Sequence, residues 1–369
     1  MIGTILVVRE MRYMKKTFSD LFTVPEFLEM RPAGLAISER AVHLVEFVKK
    51  NSKYILGRHG TRRIPAASIK EGYINDKNTV ITALKSLQNE LGIEFVMGSL
   101  PEEKVYLFKT ELPMDAAQNI GQAIELRMEE NIPLRPQDAL FDYSVVFPGD
   151  GDKIKASVSA APSKMVDTYL EVMTAAGFRA VSLGVESEVL SRAVIPRGSL
   201  STYMIVNIGE SRTCLSIISN GKVAFSLAVA IGGDAFTNAL QKHFSVGVEE
   251  ALKIKEERGF VKNRENMELF FSLMNAVSSI RDEVNKLSMY WQTHGVVAGA
   301  KEKKIEKIIL CGRDSSLIGF DEYLSLAMKT PVEIANVWQN AFSFDDNIPT
   351  IPFLDSLDYA SAIGMALPE

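Results

Sequence analysis

The chain has 369 residues, of which 47% are apolar and 24% charged, so it can build two or three compact units and is neither one small module nor a disordered chain. Its 41 Lys and Arg against 46 Asp and Glu give a formal net charge of −5, which excludes the overall positive field that draws proteins to nucleic acid or anionic lipid. The two cysteines, Cys214 and Cys311, lie in apolar runs without metal-ligand spacing. This argues against a disulfide scaffold, a zinc site and an oxidising compartment.

Residues 1–30 form a tail ahead of the first regular pattern. They contain no signal-peptide core, and the chain has no run of about 18 apolar residues that would span a membrane, which indicates a cytoplasmic protein. Met1 and Met14 are both candidate start residues. Sparse apolar side chains in residues 14–30 predict an amphipathic helix that lies on a membrane or docks on a neighbouring subunit, or a segment that packs back on its own first domain.

The first unit, residues 31–103, follows a simple order of elements. Apolar runs separated by polar turns predict three strands, at 34–37, 41–48 and 54–64. A helix capped by Asn78 and stopped by Gly92 follows, and then a fourth strand at 95–98.

Residues 104–181 are predicted to form an inserted α+β subdomain. Its strands are expected at 104–109, 141–147 and 154–160, with a last strand ending near Val181. Asp115 and Gln118 form a capping-box pattern that opens a helix ended by Pro133, and Ser163 is expected to cap a second helix.

The order of the first unit returns in residues 203–369. Strands are predicted at 203–208, 213–219 and 222–231, and Asn220-Gly221 is a type I′ hairpin signal because both residues tolerate positive φ. A helix from Asp234 opens a helical insert at about 234–275, and the fourth strand is delayed to 305–311.

A repeated strand–strand–strand–helix–strand order is typical of actin-like ATPases, an α/β class with ribonuclease H-like duplicated halves that face each other across a cleft. Residues 182–202 are expected to return to the first half. Two unrelated mixed sheets that happen to look alike are the alternative interpretation. An insertion at 104–181, rather than at the tip where actin has one, points to one branch of the superfamily.

Short segments spread along residues 27–367 resemble the type IV pilus assembly protein PilM family, which is related to the division protein FtsA. The segments are Gly34–Ser38, Glu129–Leu134, Phe141–Tyr143, Ile231–Gly233, Glu249–Ala251, Ile309–Gly312 and Tyr359–Gly364. Each is weak alone, and their order and spacing carry the match. The inserted subdomain is accordingly expected to be of the FtsA/PilM type.

The resemblance implies a cytoplasmic connector of the pilus platform, held at the inner face of the cytoplasmic membrane through a partner. Family members bind ATP and Mg between the halves and hold the cytoplasmic tail of the membrane protein PilN beside the inserted subdomain. Contacts with other platform proteins are implied, binding to nucleic acid is not, and a homo-oligomer stays open.

The phosphate turns depart from the pattern of actin-like ATPases. Ala36 stands where an Asp usually orients the metal and its water, and His43 stands where the family often has a Lys. In the second turn, residues 207–213, Asn207 loses the charge that would hold hydrated magnesium, and Ser211 replaces a glycine that lets the backbone approach phosphate.

The adenosine side is altered as well. Arg313 replaces the second glycine of a Gly-Gly pair, and Leu252 replaces the acid of a Glu-x-x-Lys pattern that retains Lys255. Glu186 matches an acid of the connection between the halves, but one carboxylate is a poor basis for water activation. Each change alone is compatible with drift, and Arg313 would favour binding if it reached a phosphate.

The expectation is a degenerate cleft that has lost hydrolysis and binds ATP/Mg weakly or not at all, with no catalytic residue and no metal site. The cleft residues are Gly34, Ala36, Ser38, Glu186, Asn207, Gly209, Ser211, Thr213, Gly232, Gly233, Lys255, Gly312 and Arg313. The partner groove is placed at Glu129, Asn131, Pro133, Asp142 and Tyr143. An active ATPase and a polymerising division protein like FtsA are the alternatives to a non-catalytic adaptor.

Overall fold

The computed structural model describes residues 31–50, 53–146, 153–295, 304–345 and 347–368. The predicted tail helix at 14–30 lies outside this part of the chain. The first sheet has five strands: β1 (Ala33–Ile37), β2 (Ala41–Lys50), β3 (Lys53–Arg63), β6 (Phe95–Leu100) and β10 (Arg179–Val185). Their order is β10-β6-β1-β2-β3, with β1, β2 and β3 antiparallel and β6 and β10 parallel to β1.

A two-stranded ribbon and helix α1 connect β3 to β6. The ribbon pairs β4 (Ile69–Lys70) with β5 (Tyr73–Ile74), and α1 spans Lys77–Leu91. Gly92 ends α1 in the left-handed region, as predicted. The expected cap was wrong: Asp76, not Asn78, accepts a hydrogen bond from the Thr79 N–H, because the helix begins two residues earlier than the apolar pattern indicates.

The inserted segment folds as a three-stranded antiparallel sheet with a helix on one face. Its elements are β7 (Tyr106–Pro113), α2 (Ile120–Asn131), β8 (Ala139–Val146) and β9 (Lys153–Pro162), in the order β7-β9-β8. The capping box was wrong, since Asp115 and Gln118 lie in a separate short 3₁₀ helix and α2 begins after it. Helix α2 ends before Pro133, as predicted.

Helix α3 (Ser163–Ala175) and β10 differ from the sequence interpretation, which grouped them with the inserted subdomain. Their apolar side chains, among them Tyr169 and Met173, join the core of the first sheet, and β10 pairs with β6. A helical repeat of apolar residues shows that one face is buried but not which sheet covers it. Ser163 does not cap α3 and instead donates to the Asp138 carbonyl.

The second half begins after α4 (Glu186–Val194) and repeats the first. Its elements are β11 (Tyr203–Ile208), β12 (Thr213–Ser219), β13 (Lys222–Val229), α5 (Gly233–Phe244), α6 (Val248–Arg258), α7 (Met267–His294), β14 (Lys307–Cys311), α8 (Phe320–Met328), β15 (Val332–Ile334) and α9 (Ala360–Ala366). The sheet order β13-β12-β11-β14-β15 reproduces the antiparallel and parallel pairing of the first sheet. Asn220 and Gly221 have φ of 54° and 69°, which confirms the hairpin.

Helix α9 belongs to the first sheet in space although it ends the described chain. A Cβ on Gly34 of β1 would lie 1.8 Å from the Ala362 carbonyl, so only glycine lets α9 pack this close. Apolar side chains of α9, α4 and both sheets form one core between the halves, with Trp338 fully buried. No helix among the described residues is long and apolar enough to span a membrane.

Candidate functional site

A cleft of about 590 Å³ lies between the halves, where the β1–β2 turn and the β11–β12 turn face each other. The sequence-predicted residues that line it are Ala36, Ser38, Glu186, Asn207, Gly209, Ser211, Gly312 and Arg313. Those that do not line it are Gly34, Thr213, Gly232, Gly233 and Lys255, which pack behind the cleft. Apart from Gly34, which accommodates α9, they shape the second turn and its surroundings.

The first turn is a tight hairpin built by Ser38. Its backbone N–H and its hydroxyl both donate to the Ala41 carbonyl, each at 2.9 Å. Ala36, just before the turn, is buried and has no side-chain oxygen to offer a ligand. The charged side chains that the turn presents to the opposite half are Glu39 and Arg40.

The second turn is held by backbone hydrogen bonds from helix α5. The N–H groups of Gly233 and Asp234 donate to the carbonyls of Gly209 and Glu210 at 2.9 and 2.6 Å. A helix N-terminus binds phosphate through such free N–H groups, and these two are already used. Gly232 is needed because a Cβ there would lie 2.6 Å from the same two carbonyls.

Side chains join the two turns directly across the cleft. The Ser211 hydroxyl donates to Glu39, Arg63 pairs with Glu210, and Arg40 Nη2 lies 2.7 Å from Asp234 Oδ2. These contacts, which we call the turn latch, bridge the two turns on the side of the cleft where phosphates would lie. The latch was not predicted from the sequence, although the opposite charges of Arg40 and Glu210 on the two turns indicate such a contact.

The adenosine side carries two ion pairs in place of an open glycine surface. Arg313 lies 3.3 Å from Asp358 and 3.5 Å from Glu256. Behind it, Lys255 Nζ lies 2.5 Å from Asp314 Oδ1. Burial raises the pKa of Asp358 to about 6 and also raises that of Asp314, against the pull of the neighbouring cations. Arg313 is thus held by protein carboxylates.

His43 is buried on β2 with its ring edge against Tyr359, at a centroid distance of 4.9 Å. Burial, together with the charges of Arg63 and Arg313, lowers its pKa to about 3. The imidazole is therefore neutral at physiological pH. It cannot supply the positive charge that a lysine would offer to phosphate.

Below the second turn lies an acidic cluster that sequence analysis did not predict apart from Glu186. The guanidinium of Arg212 lies 2.9 Å from Glu186 Oε2 and 2.7 Å from Glu103 Oε1. Glu102 accepts from the N–H and hydroxyl of Ser187 at 2.9 and 3.1 Å. Asn207 donates to Glu186 at 2.8 Å, so its amide pairs with protein and not with hydrated metal.

Burial raises the pKa of Glu102 and of Glu103 to about 7 each. Burial is the largest cause of both values, and the charge of Glu186 acts in the same direction. The charge of Arg212 opposes it at Glu103, and the hydrogen bonds from Ser226 and Ser187 oppose it at Glu102. Two carboxylates, Glu186 and Glu103, thus share one guanidinium in a buried site, and Glu102 beside them is bonded to serines. In the described parts of the chain no group of His, Cys, Asp or Glu is arranged to hold a metal ion.

The five residues predicted for a partner groove do not converge on one surface. Asp142 and Tyr143 are neighbours on β8 and point to opposite faces of the three-stranded sheet. Tyr143 faces the core under α2, whereas Asp142 faces Glu188 of α4. Burial raises the pKa of Glu188, and the charge of Asp142 acts in the same direction. Glu129 and Asn131 lie at the end of α2, and the Asn131 amide donates to the Arg127 carbonyl.

The face of this sheet that α2 leaves uncovered is polar apart from Leu107 and Leu140, which pack against the core of the first sheet. It carries Lys109, Asp142, Ser157 and Ser159, with Ser159 donating to Glu188 at 3.3 Å. Burial lowers the pKa of Lys109, and the charge of Lys222 on β13 adds to this effect. We call this surface, between the inserted sheet and the elements α4 and β13, the polar face.

Comparison with known proteins identifies the family. A family model described as type IV pilus assembly protein PilM matches residues 34–369. The chain is similar to a structure of a PilM–PilN type IV pilus biogenesis complex, with TM-score 0.75 and 20% identity over 91% of this chain and 98% of that one. This likeness shows a shared fold over nearly the whole of both chains.

More distant structures have the actin-like fold. The ethanolamine utilisation protein EutJ of Carboxydothermus hydrogenoformans matches with TM-score 0.54 and 15% identity, over 92% of this chain and 89% of that one. MreB5 of Spiroplasma citri bound to ADP matches with TM-score 0.50 and 15% identity, over 84% and 93%. The predicted actin-like fold is confirmed.

Proposed function

The chain belongs to the type IV pilus assembly protein PilM family, and from this premise we propose that it is a non-catalytic adaptor of a pilus assembly platform. In this role it binds the cytoplasmic tail of a PilN-like membrane protein and is held through it at the inner face of the cytoplasmic membrane. The observation that carries the non-catalytic part is the turn latch, because it joins the two turns of the cleft through the protein's own side chains.

Three features of the cleft argue against ATP hydrolysis. The latch residues are paired with each other, and the first N–H groups of α5 already donate to carbonyls of the second turn. Few hydrogen-bond donors are therefore free to bind the phosphates of ATP. Asn207 and Ala36 remove the carboxylates that would hold hydrated magnesium, and Glu186 is neutralised by Arg212. A water molecule would therefore lack both a metal and a free base.

The polar face is the proposed site for the partner's tail. An extended peptide needs hydrogen-bond partners for its backbone, and Ser157, Ser159 and Asp142 provide them on a surface that α2 does not cover. The similar structure of a PilM–PilN complex supports a PilN-like partner. In this proposal Glu129 and Asn131 belong to the last turn of α2 and do not contact the partner.

ATP binding without hydrolysis is a second candidate. The remaining cleft of about 590 Å³ is large enough for a nucleoside, and MreB5, which shares the fold, was solved with ADP bound. Arg63 and Arg313 line this space and would have to leave their carboxylates to reach a phosphate.

Two titrations test the proposal. Calorimetry with a synthetic PilN-like tail peptide should show binding whose Kd is the same with and without ATP and Mg. A fluorescent ATP analogue should show no binding at micromolar concentrations. Micromolar nucleotide binding, or steady ATP turnover, would refute the non-catalytic adaptor.

Matched variants locate the tail site. Ser157→Arg places a long cation on the polar face and should weaken tail binding at least tenfold. Gln122→Arg makes the same charge change on an exposed position of α2, on the far side of the sheet, and should leave Kd unchanged. Equal effects of the two variants would place the tail elsewhere.

A further inference from the structure

Arg212 joins three parts of the molecule with one buried side chain. It belongs to the second turn, in the second half of the fold. Its guanidinium contacts Glu186, the first residue of α4, and Glu103, in the short 3₁₀ helix that leads into β7 of the inserted sheet. Side-chain exposures of only 14%, 13% and 11% for Arg212, Glu103 and Glu186 keep solvent from replacing these contacts.

The contact to Glu103 depends on Arg212 alone. Both Glu103 carboxylate oxygens are buried, and none of the N–H or O–H donors in the described residues is aligned to hydrogen-bond them. Only the charge of the guanidinium at 2.7 Å compensates them. Without Arg212, Glu103 would be a buried and unpaired carboxylate, so it would have to take up a proton or move to water, and either change loosens its contact with the second turn.

A second set of hydrogen bonds connects the segment that carries Glu103 to α4 and β13. Glu102 accepts from Ser187 of α4 and from Ser226 of β13, and Glu188 of α4 accepts from Ser159 of β9. The segment between β6 and β7 is thus held on one side by the second half and on the other by α4. Its position fixes where the inserted sheet, and with it the polar face, stands.

We infer that Arg212 is a positioning residue: it holds the base of the inserted sheet against the second turn and so sets the polar face for the partner's tail. This inference rests on the proposed function. Arg212 lies in the second turn, which binds phosphate in actin-like ATPases, and here it contacts the carboxylates of Glu186 and Glu103. The partner site is thereby linked to the cleft by a fixed ion-pair cluster and does not respond to ATP.

The test compares Arg212→Gln with Arg179→Gln in the full chain. Arg179 makes an exposed ion pair with Glu94 at the far edge of the first sheet, which makes it a matched control. Arg212→Gln should weaken tail-peptide binding about tenfold, the size of a typical coupling between sites. Arg179→Gln should change Kd by less than about twofold, in line with the small energy of an exposed pair.

Conservative variants separate positioning from loss of folding. Arg212→Lys keeps the charge but cannot reach both carboxylates as a planar fork, so it should restore part of the affinity. The double variant Glu103→Gln with Arg212→Gln removes both charges and should bind the tail better than Arg212→Gln alone. Tail binding by folded Arg212→Gln equal to that of the wild type would overturn the inference.

Hydrogen exchange of β7 and β9 gives a readout that needs no peptide. Exchange in β7 should be several times faster in Arg212→Gln than in the wild type or in Arg179→Gln. If the wild type fails to bind the tail, the proposed function fails, and exchange in β7 still decides the inference. Unchanged exchange in β7 would overturn it.

Discussion

Glu102 shows how a single buried carboxyl links the halves to solution pH. It is 3% exposed and bonded to Ser187 and Ser226 from two different elements. A carboxyl in such a site is easier to bury protonated than charged. Folding therefore takes up a proton here that the unfolded chain holds only at lower pH.

The stability of the protein should fall as pH rises through neutrality. The pKa of Glu102 is raised by burial from 4.5 to about 7 in the folded state, so its contribution is fully present below about 4.5 and is lost as pH rises through 7. A shift of this size corresponds to on the order of 3 kcal/mol. Glu102→Gln should be more stable than the wild type at pH 8 and no more stable at pH 4.5, as measured by urea unfolding.

Glu257→Gln, on the exposed surface of α6, is the control for this experiment. It should follow the wild type at both pH values. A Glu102→Gln variant that parallels the wild type from pH 4.5 to 8 would show that this carboxyl does not hold the extra proton.

At the scale of elements, the ends of α1 and α2 offer a matched pair of glycines. Gly92 ends α1 with φ of 62°, and an added Cβ would meet only Arg58 Nη1 at 3.8 Å, so the cost of Gly92→Ala is conformational. We expect a loss of about 1 kcal/mol in the free energy of unfolding. Gly121→Ala, in the first turn of α2 with open space around it, should instead gain up to about 1 kcal/mol.

Urea unfolding of both variants checks the pair. Equal signs for the two substitutions would contradict the assignment of a left-handed C-cap to Gly92. The test is clean because neither position touches the cleft or the acidic cluster.

Most elements of the fold were predictable from sequence, and the reasons are local. The bounds of β11 and β12 follow from apolar runs between turn residues, and the Asn220-Gly221 turn demands positive φ at both positions. The placement of α3 was not predictable, because its apolar face could have covered either the inserted sheet or the first sheet.

The site was predictable only in part for a similar reason. The turns that line the cleft follow from the repeated order of strands, so Ala36, Asn207 and Arg313 were found. Glu39 and Ser211 are 172 positions apart, and Glu103 and Arg212 have no shared pattern. Pairs of charges at such separations are set by the packing of the two halves, which a single sequence does not reveal.

At the scale of the whole molecule, the turn latch and the acidic cluster should respond differently to salt. The latch pairs are partly exposed, with side-chain exposures of 31% and 43% for Arg40 and Asp234, so ions screen them. In 0.5 M NaCl, backbone exchange in both turns should rise severalfold. Exchange around Glu186, whose pair with Arg212 is buried, should change little.

Hydrogen exchange at low and high salt measures this difference. If exchange rates rose uniformly across the molecule, salt would be lowering global stability. If exchange in the turns did not rise, the latch would contribute nothing to holding the two turns together. Either result would contradict the role given to the latch.

The packing of α9 on β1 has a consequence for how the protein is made. Gly34 lies near the beginning of the described chain, and the helix that covers it begins more than 300 residues later, at Ala360. A ribosome must therefore synthesise both halves before the first strand can complete its core. We therefore expect the nascent first sheet to stay uncovered by α9 during translation, and the first half to complete its fold only after α9 has been made.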